Sequence, residues 1–478
     1  MDTLSVLKKL KIKIRSSVTY QKYQQALELI ELCASIMYEV NQEYVDSFLE
    51  KQLEIIGENI GNSKFKHYNG EGIIFYDGFG LDNRGLCRIY IKALCKNRNL
   101  IYVVNSSYES RIPKTLELIK EMGGRIIFLS GNSKFNRLLE LDSIISEICP
   151  SHFFYYSRPD DSYAISLMYK YKGYMQRFII NLTDHAFGLG AGAFDRYIEF
   201  RNYGASITHE YRAVEKNKIV LLPFYPIADL NEDFKGYPFN VKNEQKIIFS
   251  GGALYKTFDS ENTYYKLVDA ILQSNKKIVF WYAGSGNHDQ MDLLCEKYPD
   301  RVFFTKERED LCGVLKNCFL YLSTYPLAGG LMFQYAALSG KIPITLKNQK
   351  MEAVSGGFLI NQMDLGIEFN DIDSVVNEIN KLYNNSDYLR KKEEVVSQSL
   401  ISSVLFEKEV LHLISSGKTS FEIEYRHIDS SNIRQWYMDN FKNERLEELI
   451  LFSKSKTAYC MFITHVIKSG IKKVLKRK

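Results

Sequence analysis

The sequence predicts an α/β protein of two tandem doubly wound, Rossmann-like lobes, with a helical hairpin before them and a helical extension after. Three observations carry this expectation. Short, wholly apolar runs alternate with helical stretches from Gly72 onward, the same grammar restarts after Pro238, and glycines punctuate the strand ends in both series. Strands that are apolar on both faces and alternate with helices belong to parallel sheets covered on both sides. At 478 residues the chain is also too long for one core.

Residues 19–60 read as two helices, the first marked by Ala26, Leu27, Ile30, Cys33, Ile36 and Met37 at helical spacing, the second from about Val45 to Ile60. No second copy of this hairpin follows, so it is not the start of a repeat array. Gly61 to Gly72 reads as a linker. The first lobe then has strands at 73–76, 100–104, 125–129, 152–156 and 177–181. Its helices span about 83–95, 113–122 and 135–149, the middle one opening on Pro113 and stopping at Gly123-Gly124. The second lobe has strands at 246–249, 278–282, 302–304, 319–322 and 343–346, with helices near 262–273, 291–297, 311–318 and 331–339. The expected division is a helical segment 1–70, a first lobe 71–240, a second lobe 241–395 and a helical extension 396–478, the lobes joining around 226–243. Such sheets bind ligands outside the carboxyl ends of their strands, and two lobes facing one another would enclose a cleft.

Composition narrows the function classes. Hydrophobic residues make up 45% and charged residues 25%, an ordinary globular mixture, and a net charge of +5 spread along the chain gives no footprint for nucleic acid. The eight cysteines form no CxxC pair and no regular spacing, which argues against a disulfide framework or zinc site and fits a reducing cytosol. The N-terminus lacks the apolar core of a signal peptide, and no run reaches the ~18 apolar residues of a membrane span. A cytoplasmic protein is expected.

The richest stretch is Phe319–Leu346, where a strand runs through Ser-Thr-Tyr-Pro into Gly329-Gly330 and a helix starting near Leu331. Glycines at a helix start expose backbone amides, and the helix dipole favours an anion there, so this is a candidate diphosphate cradle. On the glycines alone, a plain tight turn is an equal reading. Upstream, Gly251-Gly252 leads to Lys256, which either neutralises phosphate or is simply solvated. A third glycine turn, Gly284 and Gly286, follows the next strand. In the first lobe, the strand at 177–181 leads into Asp184-His185, an Asp-His pair suited to general-base work on a hydroxyl or to fixing the loop by hydrogen bonds. Gly78 and Gly80, followed by Asp82, Asn83 and Arg84, form a glycine loop after the first strand. Asp82 is placed to cap the next helix, and Arg84 either meets an anionic acceptor or lies on the surface. Asp371-Ile372-Asp373 has the spacing of a metal-binding pair but falls at a helix start, where capping is expected.

The order of these motifs resembles the GT-B glycosyltransferases, especially retaining bacterial surface-polysaccharide enzymes and O-GlcNAc-transferase-like relatives. Lys218–Pro223 resembles the end of their acceptor lobe, Phe249–Lys256 the loop that opens their donor lobe, Tyr282–Gly286 its next strand end, and Gly330–Gly340 its helix after the acidic motif. Leu365–Phe369 with Asp371–Leu382 is similar to the late strand and helix of that lobe. The likeness covers about residues 72–395. It implies a nucleotide-sugar donor bound by Gly251, Gly252, Lys256, Gly284, Gly286, Gly329, Gly330, Leu331 and Tyr335, with no essential metal or other cofactor. It implies catalysis at His185 with Asp184, and a glycan or lipid-linked acceptor near Gly78, Gly80, Asn83 and Arg84. The sequence departs from the pattern where many retaining members carry two glutamates, since Leu327 and Tyr335 stand there. A non-catalytic scaffold or partner subunit of the same fold, and a nucleotide-sugar epimerase, are the competing readings. The tail from about Phe462 carries Ile463, Val466, Ile467, Ile471, Val474 and Leu475 on one helical stripe among lysines, which suits the anionic inner face of a membrane or a solvated last helix equally.

Overall fold

The computed structural model describes residues 2–61, 72–82, 85–96, 99–228, 232–351, 365–441, 443–463 and 467. The chain divides into two compact units, Met1–Leu222 together with Phe406–Lys478, and Pro223–Leu405.

Three helices open the first unit, α1 (Thr3–Thr19), α2 (Tyr23–Val40) and α3 (Ser47–Asn59). The sequence reading expects two. The helix it passes over, α1, buries Val6, Leu10, Ile14 and Val18 at helical spacing, an apolar stripe obscured by the basic residues between them. The α/β series then runs β1 (Ile73–Asp77), α4 (Leu86–Cys95), β2 (Leu100–Asn105), α5 (Pro113–Glu121), β3 (Arg125–Leu129), α6 (Lys134–Ile148), β4 (His152–Tyr156), α7 (Ser162–Lys170), β5 (Gln176–Ile180), β6 (Arg196–Glu199), α8 (Asn202–Glu210) and β7 (Ile219–Leu221). All seven strands pair in parallel in the order β3-β2-β1-β4-β5-β6-β7. Helix α4 begins later than expected because Gly85, at φ +65, turns the chain into it. Asp82 does not cap this helix. Its carboxylate accepts from Lys114 N at 2.7 Å and Thr115 N at 3.1 Å, so it caps α5 instead.

The second unit contains β8 (Lys246–Ala253), α9 (Thr263–Ser274), β9 (Ile278–Ser285), α10 (Asp289–Lys297), β10 (Val302–Thr305), α11 (Leu311–Lys316), β11 (Leu320–Leu322), α12 (Gly330–Leu338), β12 (Pro343–Leu346), β13 (Glu368–Phe369), α13 (Ile372–Asn384) and α14 (Ser386–Ser397). Its parallel sheet has the order β10-β9-β8-β11-β12-β13, the same winding about its first strand as in the other unit. Strands β8 and β9 run on through glycines that the sequence reading places in turns. Asp371 caps α13, accepting from Ser374 N at 2.7 Å.

The chain then passes through α15 (Ser403–Ser416), α16 (Ser431–Asn440), α17 (Asn443–Phe452) and a last described helical stretch at 456–463. Leu446, Ile450, Ala458 and Phe462 are buried in the same core as α2 and the first sheet. The N-terminal segment and, from Phe406 on, the C-terminal one, drawn from sequence as separate from the first lobe, therefore belong to its unit, while 396–405 stay with the second. The boundary to the second unit falls at Leu222, ahead of the expected 226–243. Within the described residues all eight cysteines are free, and no helix is long and apolar enough to cross a membrane. Most of the basic stripe expected after Phe462 lies outside the described residues, with Ile463 and Ile467 the exceptions.

Candidate functional site

In the second unit the direction of winding reverses between β8 and β11, which places a crevice outside their carboxyl ends. The loops leaving those ends meet there, with Leu327 N donating to Lys256 O at 3.3 Å. Lys256 sits half-buried in a single 3₁₀ turn at Leu254–Thr257. The loop after β11 is held by Thr324 Oγ1 donating to Leu327 O at 2.6 Å and leads to the start of α12. No side chain caps that start, whose N-cap is Gly329. The amides of the first helical turn have no partner within a helix, so the partial positive charge of this end is left for a ligand or solvent.

A second feature lies beside it. A Cβ built on Gly329 would meet Met332 at 3.6 Å and the Tyr321 hydroxyl at 3.9 Å, both ordinary contacts, so space does not require glycine there. The Tyr321 hydroxyl is fully buried and has no hydrogen-bond partner among the described residues. Burial pushes its pKa far up, so it remains a protonated donor. An unpaired buried hydroxyl is costly, and this one lies beside the uncapped helix end.

The other glycines named from sequence have different reasons. Gly251 pairs with Ala283, and Gly252 with Gly284, in the β8–β9 ladder. A Cβ on Gly284 would fall 2.0 Å from Gly252 O, and one on Gly251 2.9 Å from Ala283 O, so these two let the strands approach. Gly252 and Gly286 adopt φ of +124 and +121, which an L side chain rarely accepts. Leu331 is half-buried in the first turn of α12, and Tyr335, one turn on, donates its hydroxyl to Ile227 O at 3.2 Å. Beside it, Gln334 Nε2 donates to Phe224 O at 3.1 Å, so the middle of α12 anchors the segment that opens this unit.

In the first unit the loop after β5 carries Asp184 and His185. Asp184 is 2% exposed, and the Arg201 guanidinium grips it with both arms, Nη2–Oδ1 being 2.9 Å. Burial would raise its pKa, but Arg201 outweighs this and holds the carboxyl well below the usual carboxylate range. His185 keeps 33% of its side chain exposed, with Nδ1 3.3 Å from Asp184 Oδ1. That contact orients the ring. The backbone of the loop is held by Asn41, which ends α2 in the left-handed region at φ +46. Its side chain donates to His185 O and accepts from Phe187 N, both at 3.0 Å.

Behind this loop lies Glu199, fully buried. Its Oε1 accepts from Asn181 at 2.8 Å and Thr208 at 2.5 Å, while Oε2 has no partner among the described residues. Burial pushes its pKa up to about 7, against the pull of Arg212, Thr208 and Asn181. Gly204 makes room for both acids, since a Cβ there would lie 2.5 Å from Glu199 Oε2 and 2.9 Å from Asp184 Cβ.

The glycines after β1 are filled by packing. A Cβ on Gly78 would press Tyr155 at 2.8 Å, and one on Gly80, at φ +60, would enter the Tyr108 ring at 2.1 Å. Asn83 and Arg84, placed with them from sequence, lie outside the described residues.

Neither a protein-family model nor a curated protein matches the chain. Solved structures do. A glycosyltransferase from Rickettsia africae superposes with a TM-score of 0.54 at 12% identity, over 73% of this chain and 98% of that one. An O-GlcNAc transferase variant from Thermobaculum terrenum superposes with a TM-score of 0.51 at 11% identity, over 90% of this chain and 82% of that one. The chain has the GT-B fold. Identities this low establish architecture alone, and what a GT-B chain does depends on its site residues.

Within this GT-B chain the structure brings Gly251, Gly252, Lys256, Gly284, Gly329 and Gly330 to the strand ends of one unit, and Asp184 with His185 to a strand end of the other. Sequence reasoning missed Tyr321, Arg201, Asn41 and Glu199. Tyr321 reads as a strand residue, Glu199 falls in β6, a strand the sequence reading does not place, and nothing in their local pattern reveals an unpaired oxygen. Arg201 and Asn41 act on a loop far from them in sequence, which only the folded chain brings near.

Proposed function

We propose that this chain is a cytoplasmic glycosyltransferase that moves a sugar from a nucleotide-sugar donor to a glycan or lipid-linked acceptor, in cell-surface polysaccharide synthesis. The observation that carries the reading is the uncapped start of α12 with the buried, unpartnered Tyr321 hydroxyl beside it. Amides and a neutral donor would stabilise the leaving diphosphate as its charge develops, with Lys256 contributing its cation from the adjoining loop. On this reading no resident metal is needed. In the first unit we assign His185 as the base that accepts the proton of an acceptor hydroxyl, oriented by Asp184, which Arg201 keeps ionised. The commitment of Tyr335 to Ile227 O supports the competing reading of a non-catalytic relative, because it leaves the position matching the second glutamate of many retaining members occupied by packing.

Saturation-transfer NMR over UDP-, GDP- and CMP-sugars, with and without EDTA, tests the donor site. Binding of at least one donor, unaffected by EDTA and weakened about tenfold or more in Tyr321→Phe, is expected from loss of a hydrogen bond to a charged group. Binding of none would overturn the reading. Donor binding by both the native chain and His185→Ala, with turnover by neither, would instead favour the non-catalytic relative.

A further inference from the structure

Helix α1 presents a face that neither the fold nor the transferase reading uses. It contains no acidic residue, and among the described residues Lys11 alone of its cations is ion-paired, to Asp46. Lys8, Lys9 and Arg15 are exposed and Lys13 is half-buried. Between them Leu4 and Ile12 are 74% and 64% exposed, an unusual degree for large aliphatics on a helix that also has a buried stripe. Along the outer face, Leu4, Lys8, Ile12 and Arg15 follow at steps of four, four and three, so aliphatic and cationic side chains alternate down one line.

This face borders an open groove of about 700 Å³ between α1 and the helical stretch 456–463. From α1 it is lined by Lys9, Ile12, Lys13 and Ser16, and from the other side by Lys456, Cys460 and Met461 among others. Nothing acidic lines it, and none of its three lysines has an ion-pair partner among the described residues. The groove is fixed in place. Gln25 joins its two walls, accepting from Ser17 Oγ of α1 at 2.7 Å and donating to Thr457 Oγ1.

From this arrangement we infer that α1 and the groove beside it dock the protein on an anionic phospholipid surface. Charge complementarity identifies the partner as anionic. The interleaved aliphatics distinguish a bilayer from nucleic acid, which offers no apolar layer for Leu4 and Ile12. A membrane surface provides both, with phosphates at the level of the ammonium groups and acyl chains just beneath, and lysine stems bridge the two layers. The inference does not depend on sugar transfer, because donor binding is read in the other unit.

The full-length chain is sedimented with phosphatidylcholine vesicles, with and without phosphatidylglycerol, at low and high salt. The native protein should partition onto the anionic vesicles only and be released by salt. Each surface cation contributes roughly a fivefold factor to such partitioning. The combined variant Lys9→Gln, Lys13→Gln and Lys456→Gln should therefore bind at least tenfold more weakly with its circular dichroism unchanged. Ile12→Ser should weaken binding severalfold while keeping the salt dependence. Equal binding to both vesicle types, no binding to either, or native-like binding by the triple variant would each overturn the proposal. So would complete competition by single-stranded DNA with no effect of Ile12→Ser, which would identify a polyanion site.

Discussion

Asp184 is buried against Arg201, while His185 beside it keeps a third of its side chain in solvent. That pairing fixes one carboxylate in the interior of the loop and leaves the neighbouring imidazole open to solvent. Glu199, on the other side of Gly204 from Asp184, is in the opposite situation, a buried acid with an oxygen unpaired among the described residues and a pKa raised to about 7. A carboxyl with a folded pKa above its unfolded value of about 4.5 stabilises the fold fully below pH ~4.5 and loses that contribution as pH rises to about 7. We expect Glu199→Gln to remove this dependence. In urea titrations from pH 4.5 to 8, the native protein should lose stability relative to the variant across that window, and parallel curves would show that the group does not titrate there. Glu199 does not advertise this in the sequence, since it closes the short strand β6 and its hydrogen-bond partners Asn181 and Thr208 come from the end of β5 and from α8.

At the scale of elements, two glycines that look alike in sequence have opposite physical roles. Gly284 is required by the closeness of β8 and β9, since a Cβ would fall 2.0 Å from Gly252 O. Gly329 begins α12 at φ −96 with room to spare. Gly284→Ala should destabilise the protein by about 2–4 kcal/mol through backbone overpacking, or prevent folding. Gly329→Ala should cost no more than about 1 kcal/mol, because its φ and surroundings admit a Cβ and only the N-cap preference for glycine over alanine is lost. Thermal melts of the two variants decide this, and equal losses would refute the distinction. The sequence places both glycines at strand or helix ends and assigns both to the donor site, whereas the structure gives Gly284 a packing reason that Gly329 lacks. Strand pairing, which sets the cost at Gly284, is a contact between segments about thirty residues apart in the chain.

At the scale of the whole molecule, one unit is continuous and the other is assembled from both ends of the chain. Pro223–Leu405 holds its own sheet and core, so expressed alone it should unfold cooperatively. Residues 1–222 alone lack Leu446, Ile450, Ala458 and Phe462, which close the core over α2 and its neighbours. That fragment should be insoluble or bind hydrophobic dyes, and adding 406–478 in trans should restore a folded species. A stable, cooperatively melting 1–222 fragment would contradict this.

The sequence by itself determined the two doubly wound lobes, most of their strands, the glycine-marked strand ends and the Asp-His turn. These are local properties, namely periodicity, apolar runs and helix punctuation, and each is written within a dozen residues. Only the tertiary structure decided that the terminal helices share the core of the first lobe and that Arg201 and Asn41 hold the His185 loop. It also decided that Tyr321 leaves a buried hydroxyl beside an open helix end. Those features depend on side chains brought together from distant parts of the chain, and the free energy of burying a polar atom has no value until its surroundings exist.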